Sequence, residues 1–121
     1  MYALSVLQPW ASLIVAGARR YEVRRWHTAL RGPLAIHASG RLPPGGFAPG
    51  RSLPLGYVLG TVELTDCVRV EDLPAEERAL AEFRPGHWVW RFRDPRPFPR
   101  PVRARGRLGL FRIDLPGPAL P

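Results

Sequence analysis

Along much of the chain apolar and polar residues alternate, and where they do the spacing predicts short strands. Residues 2–6 read as the first. Pro9 then suits the first position of a helix running to about Ala16, with Gly17 placed to end it. In that helix Trp10, Leu13 and Ile14 share one face at i, i+3 and i+4, the spacing of a core-facing stripe. From residue 20 to 26 the period is two, so Tyr21 and Val23 point one way while Glu22, Arg24 and Trp26 point the other. One face of this strand is apolar; the other carries chemistry.

Arg31, Gly32 and Pro33 make a turn into a strand at residues 34–38, with Leu34 and Ile36 together and His37 with Ser39 opposite. Residues 40–54, rich in Gly and Pro, form a loop. Residues 56–67 predict a long strand with Val58, Val62 and Leu64 on one face and Tyr57, Leu59, Thr61 and Glu63 on the other. Residues 74–83 read as an amphipathic helix with exposed acids. A strand at 87–93 aligns Trp88, Trp90 and Phe92, and 102–113, interrupted at Gly106, supplies the last one or two. Five to seven short strands with two short peripheral helices predict an α+β domain on a small, closed or nearly closed β-barrel. A chain of 121 residues suits one core. Residues 1–115 are therefore read as a single domain and 116–121 as a Pro-rich C-terminal tail.

Composition narrows the chemistry. Apolar residues make up 45% of the chain, enough for a packed core. A single cysteine, Cys67, supports neither an intrachain disulfide nor a multi-thiolate metal site. No apolar stretch reaches membrane-span length, and the N-terminus lacks a basic segment followed by a long apolar one. The expectation is a cytoplasmic protein without a membrane partner. All eighteen basic residues are arginine, and the net charge is +8. Chemistry that needs a lysine base or Schiff base is excluded, while forked recognition of phosphate and bases is favoured. The same composition could equally reflect a GC-rich or heat-adapted genome. Residues 1–60 hold seven arginines against one acid, Glu22, and residues 91–112 hold eight against Asp94. Such acid-poor segments attract polyanions by counterion release.

His27, His37 and His87 stand apart with no Cys or carboxylate at ligand spacing, so neither a metal nor any other cofactor is expected. His37 and Ser39 share a strand face, but no glycine-framed elbow surrounds the serine, which favours a satisfied histidine over a hydrolytic triad. The densest constellation runs from Gly17 to Trp26. Glu22, among arginines, would form charge-assisted hydrogen bonds and fix a guanidinium fork for a ligand. A purely structural Arg–Glu pair at a barrel end explains the local pattern as well. Trp26, Trp88 or Trp90 could stack a base while Arg24 or Arg31 holds phosphate or a base edge, although an in-phase aromatic row usually marks a buried face.

Three linked motifs give this pattern a family likeness. Leu4-Ser5-Val6-x-Gln8-Pro9-Trp10-Ala11, Gly17-x-Arg19-x-x-Glu22-x-Arg24-x-Trp26 and Arg31-Gly32-Pro33-Leu34-x-Ile36-His37-Ala38-Ser39 resemble the ASCH domain, as do residues 56–67 and Gly106-x-Leu108-Gly109-Leu110-Phe111. The resemblance implies a PUA-like barrel and a cleft lined by the Gly17 to Arg24 segment. It also implies RNA binding, often tied to transcription or translation machinery. Arg19 stands where the family usually has lysine. Some ASCH-like proteins are amidohydrolases of acylated cytidine, using a lysine and a threonine in this segment and a downstream glutamate. Here the first two positions match Arg19 and Glu22, and the third falls among Glu76, Glu77 and Glu82. Arginine keeps its proton at neutral pH and Glu22 is no hydroxyl nucleophile. The leading reading is a binding module for a nucleotide or single-stranded RNA, with Gly17, Arg19, Glu22, Arg24, Trp26, Arg31 and Ser39 at the site. A small hydrolase, either a ribonuclease or a modified-nucleoside amidohydrolase, with Glu22 as general base is the alternative.

Overall fold

The computed structural model describes residues 1–80 and 84–115. One mixed sheet contains β1 (Tyr2–Val6), β2 (Tyr21–Arg24), β3 (Gly32–Ala38), β4 (Tyr57–Arg69), β5 (Trp88–Arg103) and β6 (Leu110–Arg112), in the order β2-β5-β4-β3-β1-β6. Among the described residues the only parallel pair is β1 with β3. The sheet curls into a half-barrel. β2 and β6 are its two edges, so the barrel is open. Two short helices, α1 (Trp10–Val15) and α2 (Ala75–Leu80), complete it. The expected helix at 74–83 is thus α2, and residues 81–83, like the tail at 116–121, lie outside the described residues.

Core side chains cover both sheet faces. On one, Ala11, Ile14 and Val15 of α1 pack against Leu4, Val6, Leu34, Ile36, Leu64, Trp90 and Phe92. On the other, Ala3, Ala35, Val58, Phe98 and Phe111 form a second cluster. β1 and β3 are buried on both sides, which is why they read as nearly unbroken apolar runs. Trp90 is fully buried, and truncating a ring of this kind costs roughly 3–5 kcal/mol.

Three expectations are corrected here. The stripe of α1 that faces the sheet is Ala11, Ile14 and Val15; Trp10 and Leu13 stand outside the core, because the helix is six residues long and Trp10 begins it at the protein's edge. Strand β2 ends at Arg24, not Trp26, since the chain bends at Arg25 and Trp26. Strict alternation fails in β4, where the register against β5 shifts between Val58 and Gly60, Thr61 and Glu63, and Leu64 and Asp66. Each irregularity turns the side-chain order over. Val58 therefore faces the second cluster, while Leu59 joins Val62 and Leu64 against α1.

β5 runs well beyond the expected 87–93 strand despite Pro95, Pro97, Pro99 and Pro101. β2 pairs only with Trp88 to Arg91, and Phe92 N–H donates to Arg20 O, after which no strand among the described residues flanks that edge. Proline is tolerated there because an edge strand has no partner waiting for its missing N–H. The alternate prolines also deny donors to a passing strand.

Candidate nucleic-acid interface

The ends of β1, β2 and β3 and the loop joining β5 to β6 enclose a cleft of about 980 Å³. Glu22 and Arg24 line it from β2, Ser5 to Leu7 from β1, and Trp10 from the start of α1. Ser39, Gly40 and Arg41 enter from the segment after β3, and residues 105–109 from the loop before β6. The lining holds four arginines, Arg24, Arg41, Arg105 and Arg107, against one carboxylate, Glu22.

Glu22 organises the β2 wall. Arg19 Nη2 donates to Glu22 Oε1 at 3.1 Å, and Arg24 Nη2 donates to Glu22 Oε2 at 3.0 Å. Each guanidinium is anchored a second time, Arg19 Nε on Tyr21 O at 3.0 Å and Arg24 Nη2 on Ser5 O at 2.7 Å. Glu22 is buried, its side chain 11% exposed. Charge-assisted bonds held in so little water are stronger than their exposed equivalents and fix both forks. Arg24 Nε is buried with no hydrogen-bond partner among the described residues. Arg19 reaches this network because Gly17, at φ +83, ends α1 and turns the chain back: the N–H groups of Ala18 and Arg19 both donate to Leu13 O.

A second polar group holds the loop before β6. His37, fully buried, has Nδ1 3.0 Å from Ser5 Oγ and Nε2 2.7 Å from Ala104 O. Its ring meets Phe111 edge to face. A Cβ on Gly106 would lie 2.8 Å from His37 Cε1 and 3.2 Å from Ser5 Oγ, so this loop sits close because residue 106 has no side chain. Arg105 and Arg107 flank that contact and project outward, and neither they nor the Arg41 side chain has a hydrogen bond or ion pair among the described residues.

The structure brings together Glu22, Arg24 and Ser39 in the cleft, with Arg19 and Gly17 behind its wall. Ser39 Oγ accepts from Arg41 N–H, not from His37. Trp26 and Arg31 do not line the cleft. Trp26 stands edge-on to Trp90 with centroids 4.7 Å apart, and Arg31 Nη1 donates to Thr28 O and Leu30 O within its own turn. Among the downstream glutamates, Glu77 pairs with Arg91, Glu76 is exposed, and Glu82 lies outside the described residues. No group of three or more His, Cys, Asp or Glu converges among the described residues. Sequence reasoning did not single out Trp10, Arg41, Arg105 or Arg107. The available signal was the framing of these arginines by glycine, Gly40-Arg41 and Arg105-Gly106-Arg107, in loops that no core pattern claims.

The curled sheet with few helices defines a class of small β-barrel-like domains, and the comparisons specify it. The crystal structure of ASCH from Zymomonas mobilis matches with a TM-score of 0.62 at 20% identity, over 93% of this chain and 87% of that one, a likeness of fold. The family model of the ASCH domain matches residues 4–92, which include Glu22 and Arg24 but not the loop before β6. The chain belongs to the ASCH domain family, which is associated with RNA binding. Activating signal cointegrator 1 of Mus musculus and of Homo sapiens are each 27% identical to it over 129 residues, covering 93% of the chain. The chain spans 22% of the length of those relatives. No helix among the described residues is long and apolar enough to cross a membrane.

Proposed function

We propose that this chain is an RNA-binding module whose cleft receives a nucleotide or a segment of single-stranded RNA. The observation that carries the reading is the cluster of Arg41, Arg105 and Arg107, exposed and without partners among the described residues, on two loops that border one cleft. Guanidinium groups left free in this way suit phosphate, with which they pair in a fork. Gly17, Arg19, Glu22 and Arg24 serve as the rigid wall, and Ser39 offers a hydroxyl at the rim. Trp26 and Arg31 take no part. Association with transcription or translation machinery, expected from the ASCH resemblance, would follow from the RNA contact.

Anisotropy titration of labelled single-stranded RNA at low salt tests the proposal. Arg41→Ala, Arg105→Ala and Arg107→Ala should each weaken binding, whereas Arg78→Ala on the acidic helix should not. Absence of low-salt affinity, or a triple variant that binds like the parent, removes the reading.

The hydrolase alternative rests on Glu22 as base, and Glu22 does line the cleft. Both of its oxygens already accept from guanidinium groups, so a water to be deprotonated must compete for the remaining lone pairs. Incubation with N4-acetylcytidine should release no cytidine. Rapid turnover abolished by Glu22→Gln would put the hydrolase first.

A further inference from the structure

Four tryptophans differ sharply in their surroundings. Trp90 is fully buried, Trp26 packs on it edge-on, and Trp88 contacts both His27, at 4.6 Å, and the guanidinium of Arg69, at 5.2 Å. Trp10 belongs to none of the core clusters and is 37% exposed. It is the one aromatic side chain in the cleft lining among the described residues. The Arg19 guanidinium, fixed by Glu22 and Tyr21 O, lies 4.5 Å from the Tyr21 ring centroid and 6.0 Å from that of Trp10, so the Trp10 ring borders a positioned cation without being covered by it. A large apolar ring left part-open beside free cations is a surface that a second π-system can cover.

Resting on the RNA-binding reading, we infer that Trp10 is the stacking platform for an unpaired nucleobase. The rim arginines hold phosphate, and the attached base lies against Trp10. Arg24 Nη1, which makes no hydrogen bond among the described residues, is placed in the same cleft to donate to an acceptor on the base edge. The base must be unpaired, since in a duplex its faces are covered by its neighbours and sequence-tolerant stacking on protein requires a splayed strand. Every base has a π-face, so discrimination among the four is weak. The ligand class is therefore single-stranded RNA rather than duplex.

The test compares the parent with Trp10→Ala, Trp10→Phe and Trp26→Phe, using a short oligouridine and, separately, the same strand annealed to its complement. Anisotropy gives affinity, and tryptophan emission reports contact. Oligouridine should quench emission in the parent and in Trp26→Phe but not in Trp10→Phe. Trp10→Ala should lose on the order of 5- to 150-fold in single-strand affinity, the range measured when a stacked base loses its aromatic partner. Trp10→Phe should restore most of it and covers the case in which the alanine variant folds poorly. Duplex affinity should be unchanged by either. Single-strand binding that stays salt-sensitive and equal in the parent and Trp10→Ala would overturn the platform and leave the RNA-binding reading standing. A parent that binds no RNA would remove both, and an equal loss on duplex would overturn the assignment to an unpaired base.

Discussion

At the scale of single residues, surroundings separate groups that look alike in sequence. Glu22 and Glu77 both pair with arginine, yet Glu22 is enclosed by two guanidiniums with its side chain 11% exposed, while Glu77 is 48% exposed. Removing one member of an enclosed pair leaves cations uncompensated, whereas an exposed pair contributes little. Glu22→Ala should therefore cost about 3 kcal/mol. In a domain of this size that lowers Tm by roughly 10 °C. Glu77→Ala should stay within about 1 kcal/mol. Equal melting temperatures would remove the organising role given to Glu22. That role was legible in the sequence because Glu22 is the lone acid among seven arginines. The cleft position of Trp10 was not, because i, i+3, i+4 spacing is the same whether a stripe begins inside the core or one residue outside it. Cys67 offers a second contrast. Burial pushes its thiol up, against the opposing pulls of a backbone hydrogen bond from Thr28 and the charge of Arg31. Native protein should then alkylate with iodoacetamide far more slowly at mildly alkaline pH than urea-unfolded protein, and equal rates would contradict the buried placement. Because the folded thiol keeps its proton longer than the unfolded one, its contribution to stability is complete below the ordinary thiol pKa of about 8.5 and is lost as pH rises through the folded value. Cys67→Ala should flatten that alkaline loss.

Among the elements, the strands with clean alternation were readable and the bulged ones were not. β2 kept Glu22 and Arg24 together on one face, as period two requires. β4 did not keep Val58 with Val62, because its register irregularities depend on what β5 does beside it, and β5 lies beyond a turn and a helix, out of reach of any local signal. Proline made β5 itself hard to read: four prolines ordinarily argue against a strand, and only the absence of a neighbour beyond Phe92 makes them compatible with one. The loop before β6 was marked in sequence only as an interruption at Gly106. Its position is set by His37, whose two ring nitrogens join Ser5 of β1 to the Ala104 carbonyl. Gly106→Ala forces a Cβ to within 2.8 Å of His37. Overpacking of this sort costs typically about 1–3 kcal/mol. The loop should shift and take Arg105 and Arg107 with it, so RNA affinity should fall along with Tm. A variant with parental Tm and parental affinity would show that the contact is not what places the arginines.

Across the whole molecule, where the charge stands says more than how much of it there is. The net +8 alone would attract any polyanion, and the sequence could not say where. Folding resolves this by bringing together arginines from distant segments, 24, 41, 105 and 107, beside one carboxylate, while acids such as Glu71, Asp72, Glu76 and Glu77 stand on the turn and helix between β4 and β5 and do not line the cleft. A local cluster and a diffuse coat of charge make different predictions in salt. For single strands, log affinity falls with log salt by about 0.7 per phosphate neutralised. Three rim arginines on phosphate should therefore give a slope of roughly −2, and each arginine removed should reduce its magnitude by less than about one. Replacing Arg105 and Arg107 together should flatten the slope measurably, and similarly for strands of different sequence, because phosphate contacts carry no base information. Removing two arginines outside the cleft, Arg78 and Arg112, changes the net charge by the same amount and should leave the slope in place. Titrations of both double variants across a salt series decide between the two pictures: parallel slopes that fall equally in both would mean that the protein holds RNA by its overall charge and not by this cleft.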